Sequence, residues 1–150
     1  MTDSKMSSSS KNTKTSAVSL TEENLQTVIQ IIVENLDDSL LTAYWRRKNQ
    51  DNNPMAGYCY YASAVLQKVF PELEIWRAED ELGEYHWFNK WGDRVIDITE
   101  DQYYCKGRTP PHDTGIKKRQ LGGRHGIKAN KLLENINSNY EIFQPITQRP

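Results

Sequence analysis

The sequence predicts one α+β domain, in which helices precede a small antiparallel sheet and a cysteine-bearing helix packs on that sheet. Three observations support this class. Apolar residues recur at helical spacing before Pro71, and they alternate with other residues after it. The chain of 150 residues is long enough for one hydrophobic core. Its 4 Trp and 8 Tyr supply large side chains to fill that core.

The overall charge and hydropathy argue against two classes of partner. The 19 basic and 20 acidic residues leave a net charge of −1, whereas domains that bind nucleic acid are usually basic. No apolar run approaches the roughly 18 residues that a membrane span requires. We therefore expect neither a nucleic-acid partner nor a membrane partner.

The N-terminal residues 1–18 are rich in Ser, Thr and Lys, and they lack the apolar segment of a secretory signal. This composition predicts a disordered tail, which leaves residues 19–150 for the folded domain. Two cysteines without an export signal indicate a reducing, cytoplasmic setting. A disulfide between Cys59 and Cys105 is disfavoured in such a setting.

Two helices are predicted before the central loop. The first covers residues 19–36, and Ser19 and Glu22 have the spacing of a capping box at its start. The second covers residues 37–49 and is expected to turn four apolar or aromatic side chains inward, namely Leu40, Leu41, Tyr44 and Trp45.

A third helix, over residues 58–70, carries the first candidate functional residue. It follows a loop that contains Pro and Gly, and it stops before Pro71. Cys59 lies in its first turn, on the same face as Ala62 and Leu66, so its side chain is expected to point inward. A cysteine in this position is usually a small core residue. Catalysis by Cys59 therefore needs independent support.

After Pro71 the hydrophobic period changes to two. Alternation with branched or aromatic residues predicts three antiparallel strands, over residues 73–79, 83–91 and 93–99. Thr99 and Gln102 then have the spacing of a short capped turn.

The C-terminal third is predicted to be mostly irregular. Residues 105–128 contain too much Pro and Gly for regular structure, which indicates a long loop. A basic run within it, residues 117–125, is interpreted as a solvated surface. Residues 130–140 are predicted to form the last helix.

The second and third strands place a histidine near an aspartate. A hairpin turn centred between Trp91 and Gly92 would set His86 directly opposite Asp97, and cross-strand partners have Cβ atoms roughly 5 Å apart. A turn centred on Gly92 and Asp93 would set His86 opposite Thr99 instead. Asp97 would then be a diagonal neighbour of His86.

These three residue types together suit nucleophilic catalysis. A helix N-terminus and a nearby imidazole favour the thiolate of a cysteine such as Cys59. An imidazole such as His86 can hold the proton and return it to a leaving group, while a carboxylate such as Asp97 fixes the orientation of the ring. Alone, His86 could be an ordinary strand histidine. A carboxylate between two isoleucines, however, needs a partner.

The stretch NPMAGYCYYASAVLQKVF, followed by EYHWFNKWGDRVIDITEDQY, resembles the YunG-like family of small bacterial and phage proteins. That family has a Pro-containing loop with Gly-x-Cys, then His-[Trp/Tyr]-x-Asn, then Ile-Asp-[Leu/Ile]-Thr-x-x-Gln-[Phe/Tyr]. The resemblance covers roughly residues 45–104. The matching residues are Asn53, Pro54, Gly57, Cys59, His86, Trp87, Asn89, Ile96, Asp97, Thr99, Gln102 and Tyr103.

The resemblance implies a papain-like or transglutaminase-like cysteine fold over residues 19–150, with Cys59, His86 and Asp97 as a catalytic triad. Papain-type enzymes also use an amide side chain six positions before the nucleophile to hold an oxyanion, and Asn53 stands there. The family has Gln just before its cysteine, where this chain has Tyr58. Trp87 and Asn89 are expected to bind substrate, although Trp87 could instead be a core residue.

The main hypothesis is a thiol-dependent acyl-transfer enzyme that needs no cofactor. It would be a peptidase, amidase or deamidase acting on a protein or peptide amide. The alternative is a binding or host-interaction module that keeps the scaffold without turnover. Zinc binding is disfavoured, because the candidate ligands Cys59, His86, Cys105 and His112 lack the paired spacing of zinc sites. Cys105 is interpreted as structural.

Overall fold

A computed structural model describes residues 18–143. The five helices among them are α1 Glu22–Asn35, α2 Ala43–Gln50, α3 Cys59–Val69, α4 Asp101–Tyr104 and α5 Gly123–Asn139. Four strands, β1 Glu74–Glu79, β2 Tyr85–Trp91, β3 Arg94–Ile96 and β4 Ile116–Lys118, form one antiparallel sheet in the order β3-β2-β1-β4. The α+β class is confirmed. No helix in this part of the chain is long and apolar enough to cross a membrane.

Helix α1 begins later than the capping-box spacing predicts. Thr21, not Ser19, is the N-cap, and its hydroxyl accepts a hydrogen bond from the Asn24 backbone N–H at 3.1 Å. Leu25, Val28 and Ile32 of the expected apolar stripe are buried, together with Ile31, whereas Ile29 and Leu36 are half-buried. Val18 is also buried in the core, so packing begins before Ser19. The rest of the predicted tail, residues 1–17, lies outside the described residues.

The second predicted helix is divided in two. A short 3-10 helix, Asp38–Leu40, ends at Leu41, and α2 starts after the N-cap Thr42. The break buries Leu40 and Leu41, but it leaves Tyr44 47% exposed, contrary to the predicted inward face. The backbone is extended at the two residues between these helices, Leu41 and Thr42. The 3-10 helix therefore ends before α2 begins.

Helix α3 matches its prediction to within a residue at each end and forms the centre of the fold. Nine of its eleven residues are buried, and it packs on β2 and against α1 and α5. The apolar and small side chains around its circumference are typical of a helix enclosed on all sides. This packing fixes the position of Cys59 relative to the sheet.

The hairpin between β2 and β3 adopts the second of the two registers considered. Asn89 pairs with Ile96, and Trp91 pairs with Arg94, so the turn is centred on Gly92 and Asp93. The turn centred between Trp91 and Gly92 is therefore wrong. Gly92 has a φ of +62°, a left-handed conformation that glycine adopts at no steric cost and that tight hairpin turns require.

The predicted long loop at residues 105–128 contains regular structure. It includes a 3-10 turn, His112–Thr114, hereafter the His112 turn, and β4, which pairs with β1 as a fourth strand. Helix α5 begins at Gly123, seven residues before its predicted start. Burial of Ala129, Leu132 and Ile136 gives α5 a packed face, and this tertiary packing overrides the weak helix propensity of its glycines.

Candidate active site

His86 and Asp97 are in direct contact. His86 Nε2 lies 2.6 Å from Asp97 Oδ2, and the two side chains are 0% and 1% exposed. Asp97 follows the last residue of β3, where it reaches His86 as a diagonal neighbour. The predicted proximity of these two residues is therefore present, although the register that sets it differs from the first expectation.

A second histidine binds the same carboxylate oxygen. His112 Nε2 lies 2.7 Å from Asp97 Oδ2, and the His112 side chain is 23% exposed. From the sequence, His112 was a candidate only as a metal ligand. No local pattern connects it to Asp97, because the two residues meet only when the His112 turn folds back over the sheet.

Gln102 binds the other nitrogen of His86. Its side-chain Nε2 lies 2.7 Å from His86 Nδ1, and Gln102 is buried. The predicted capping role of Gln102 is wrong, because α4 has no side-chain cap and the Gln102 amide faces the histidine instead. In the Nε2–H tautomer of His86, Nε2 donates to Asp97 and Nδ1 accepts from Gln102.

Cys59 stands at the start of α3, next to the first residue of β2. Its Sγ lies 4.0 Å from the Tyr85 carbonyl oxygen, and the residue is 9% exposed. Cys59 is also a neighbour of His86, and it helps to raise the pKa of that imidazole. Cys105 is exposed, with its Sγ 3.8 Å from the Asn52 carbonyl and 4.0 Å from the Gln102 carbonyl. Both thiols are free.

The electrostatics favour a charged pair between His86 and Asp97. Burial works against the imidazolium, but the hydrogen bond to Asp97 and the neighbouring Cys59 outweigh it and raise the pKa of His86 above its ordinary value. Burial would likewise raise the pKa of the Asp97 carboxyl. The hydrogen bonds from His112 and His86 nevertheless hold that pKa below its usual range.

A cleft of about 380 Å³ lies beside Cys59, a volume typical of small-ligand sites. Its wall is mostly aromatic and apolar, and Arg77 lies over the Tyr85 ring at 4.0 Å from the ring centre. The wall includes Leu41, Trp45, Tyr60, Arg77, Tyr85 and Trp87.

Two expected substrate-binding residues lie on the same face of β2, but only one of them lines the cleft. Trp87 lines the cleft, and its ring packs edge-on against Tyr60. Asn89 is 1% exposed, and its Nδ2 donates to the carbonyls of Ser63 and Glu74. Asn89 therefore fastens α3 and β1 to β2 and does not line the cleft.

The side-chain amide of Asn53, the expected oxyanion donor, already makes one hydrogen bond. Its Nδ2 donates to the Gln102 carbonyl at 3.0 Å, which uses one of its two N–H groups. Asn53 Oδ1 is buried without a hydrogen-bond partner among the described residues. Asn53 thus connects the loop before α3 to α4 and places Gln102 near His86.

His86, Asp97 and His112 form a cluster whose ligand atoms lie within 4.8 Å of one another. Two ligands that each lie about 2.1 Å from a tetrahedral zinc ion are separated by roughly 3.4 Å. The nitrogen-to-oxygen distances of 2.6 and 2.7 Å are shorter than this and match hydrogen bonds. The cluster is therefore a hydrogen-bonded network as it stands.

Comparison with known proteins agrees with the motifs of this site. No curated protein and no solved structure matches the chain. The family model described as YunG protein matches residues 24–141, a range that contains Cys59, His86, Asp97 and His112 and most of the chain. The chain belongs to the YunG protein family.

Proposed function

We propose that the protein is a thiol-dependent acyl-transfer enzyme, a peptidase, amidase or deamidase with a papain-like arrangement of Cys59, His86 and Asp97. The observation that carries this proposal is the 2.6 Å contact between buried His86 and Asp97 next to Cys59, which stands at a helix N-terminus and lines a cleft. A nucleophile, a base and a residue that orients the base are the parts that acyl transfer requires.

The reaction begins with attack of the Cys59 thiolate on the carbonyl carbon of an amide. His86 holds the thiol proton on Nδ1 and transfers it to the leaving nitrogen when the carbon–nitrogen bond breaks, which leaves a thioester on Cys59. His86 then accepts a proton from water or from an acceptor amine, which attacks the thioester and releases the thiol. Asp97 stabilises the imidazolium whenever His86 holds this second proton, that is, before the leaving group departs and again during attack on the thioester.

Gln102 takes part in the protonation of His86. When Nδ1 carries a proton, it needs an acceptor, and the Gln102 amide supplies one if its oxygen replaces its nitrogen at that position. Rotation of the amide about its last torsion makes this exchange without moving the backbone. The orientation of the Gln102 amide then depends on whether His86 Nδ1 is protonated.

The oxyanion of the intermediate is assigned to the start of α3. Backbone N–H groups in the first turn of a helix have no partner within the helix, so the Cys59 N–H can donate to an oxygen on the attacked carbon. The second N–H of Asn53 is the candidate for a further donor. Its other contact, to the Gln102 carbonyl, would hold it in place.

The cleft favours a peptide or protein amide with a large apolar or aromatic side chain near the reacting carbonyl. Tyr60 and Trp87 offer ring faces and edges, and Arg77 adds a positive charge that suits a neighbouring carboxylate. We place the reaction in the cytoplasm, where a reactive thiol such as Cys59 stays reduced.

The test uses a mixture of proteolytic peptides incubated with the wild-type protein, with Cys59→Ala and with Cys105→Ala, followed by mass spectrometry. We expect cleaved, deamidated or amine-linked peptides with the wild type and Cys105→Ala, and none with Cys59→Ala. The class of product distinguishes hydrolysis from transfer to an amine. Products that persist in Cys59→Ala would overturn the assignment of the nucleophile.

A second candidate function is a binding module without turnover. The observation that favours it is the 2.7 Å contact between Gln102 and His86 Nδ1, which occupies the atom that must receive the thiol proton. Retention of the same peptides by wild type and Cys59→Ala, with no product from either, would support this candidate. A Gln102→Leu variant that gains reactivity at Cys59 would show that the amide blocks the site.

A further inference from the structure

Asp97 serves two histidines through one oxygen. His86 Nε2 and His112 Nε2 lie 2.6 and 2.7 Å from Asp97 Oδ2, while Asp97 Oδ1 is buried and has no hydrogen-bond partner among residues 18–143. Two donors that share one acceptor atom compete for its electron density. Each bond is therefore weaker than it would be alone.

His112 is held in place by packing that is separate from Asp97. Its ring lies 4.8 Å from the ring of Phe88, and the Thr114 hydroxyl donates to the Glu79 and Pro111 carbonyls. A Cβ atom on Gly115 would stand 2.8 Å from the Phe88 ring, so the chain passes the sheet as closely as glycine allows. The His112 turn is thus fixed against the sheet.

Among the titratable groups around Asp97, His112 is its second hydrogen-bond donor. His86 faces the carboxylate from β2. Glu100, at the start of α4, has a raised pKa because of burial and the negative charge of Asp97, with a smaller contribution from Asp101. Asp113 is exposed on the His112 turn. Apart from His86, only His112 supplies a donor to Asp97 among these groups.

We propose that His112 is a positioning residue that shares the Asp97 carboxylate with His86 and thereby limits how tightly Asp97 holds the His86 imidazolium. The proposal rests on the proposed function, because its benefit is catalytic. A base that retains its proton too strongly returns it poorly to a leaving group, and general acids work best when their proton affinity is matched to the working pH. His112 draws part of the Asp97 charge away from His86.

The experiment uses ¹⁵N-histidine labelling and NMR of the ring N–H groups at neutral pH. The chain has 3 histidines, so the His86 signals are assigned by elimination. In His112→Ala, Asp97 has one donor left, so its bond to His86 shortens and the His86 Nε2–H resonance moves downfield. His112→Gln can restore a donor and should bring the resonance back toward its wild-type position. His125→Ala is the matched control, because His125 bonds the Tyr61 hydroxyl and not Asp97.

An unchanged or upfield-shifted His86 resonance in His112→Ala would overturn the proposal, since a residue that only supports the fold would loosen the His86–Asp97 bond. A second measurement separates this failure from failure of the proposed function. If Cys59 in the wild type is alkylated no faster than a free cysteine, the enzyme assignment fails whatever the resonance does. If Zn²⁺ shifts the wild-type resonances of both His86 and His112 stoichiometrically, the cluster is a metal site and the sharing proposal is wrong.

Discussion

Replacement of Asp97 by alanine should destabilise the protein strongly, because it removes the acceptor of two hydrogen bonds and leaves His86 in a fully buried position without its anionic partner. Breaking a buried ion pair from one side costs about 3–5 kcal/mol. For a chain of 150 residues, each kcal/mol lowers the thermal midpoint by about 2–4 °C. We therefore expect the midpoint to fall by roughly 6–20 °C.

The measurement is urea unfolding followed by tryptophan fluorescence at neutral pH, with Asp113→Ala as the control. Asp113 is exposed and lies beside His112, so its removal should change the free energy of unfolding by no more than about 0.5 kcal/mol. A cost below about 1 kcal/mol for Asp97→Ala would refute the view that a charged, buried pair occupies the site.

The same variant should lose a specific pH dependence. The pKa of Asp97 is lowered by folding, so this group contributes stability above the unfolded value of about 3.9, and the contribution is lost as the pH falls through the folded value. The pKa of His86 is raised, so its contribution is complete below about 6.5 and is lost as the pH rises through its folded value. Wild-type stability should therefore decline on both sides of an intermediate maximum, and Asp97→Ala should flatten both sides. Equal pH profiles for the two proteins would contradict this linkage.

Three further predictions use simpler measurements. Cys59 should react with iodoacetamide faster than Cys105 near neutral pH, because it stands at the start of α3 beside His86, the proposed base. Peptide mapping after brief labelling checks this, and preferential labelling of exposed Cys105 would contradict it. Gly115→Ala should lower the free energy of unfolding in urea by about 1–3 kcal/mol, since the new Cβ would lie 2.8 Å from the Phe88 ring and 3.1 Å from a backbone oxygen. An unchanged free energy would show that the His112 turn is free to move. Removal of residues 1–17, which contain few apolar side chains, should leave the thermal midpoint within about 2 °C, whereas a drop of many degrees would show that this segment packs on the domain.

Local patterns were sufficient to predict the class of fold and the main participants of the site. The apolar residues of α1 and α3 follow the period of a helix, which depends only on neighbouring residues. The three candidate residues Cys59, His86 and Asp97 lie in short motifs at the ends of such elements. Their order along the chain was therefore readable before any contact between them was known.

The exact pairing and the boundaries of several elements depended on contacts that a local pattern does not contain. The hairpin register follows from the left-handed conformation at Gly92, which one of two similar turns uses. Strand β4 has only three residues and is added to the sheet by pairing with β1. The first turns of α5, which precede its buried residues, contact α3 through His125, whose Nδ1 lies 3.0 Å from the Tyr61 hydroxyl.

The sequence by itself determined which residues could carry the chemistry, because the types Cys, His and Asp and their places on helix and strand are local properties. Only the tertiary structure decided which residues they contact through hydrogen bonds. His112 reaches Asp97 across 15 residues and Gln102 reaches His86 across 16, through loops whose path no hydrophobic period specifies. Hydrogen bonds between such distant residues form because the packed sheet brings loop ends together and then excludes the water that would otherwise satisfy their polar groups.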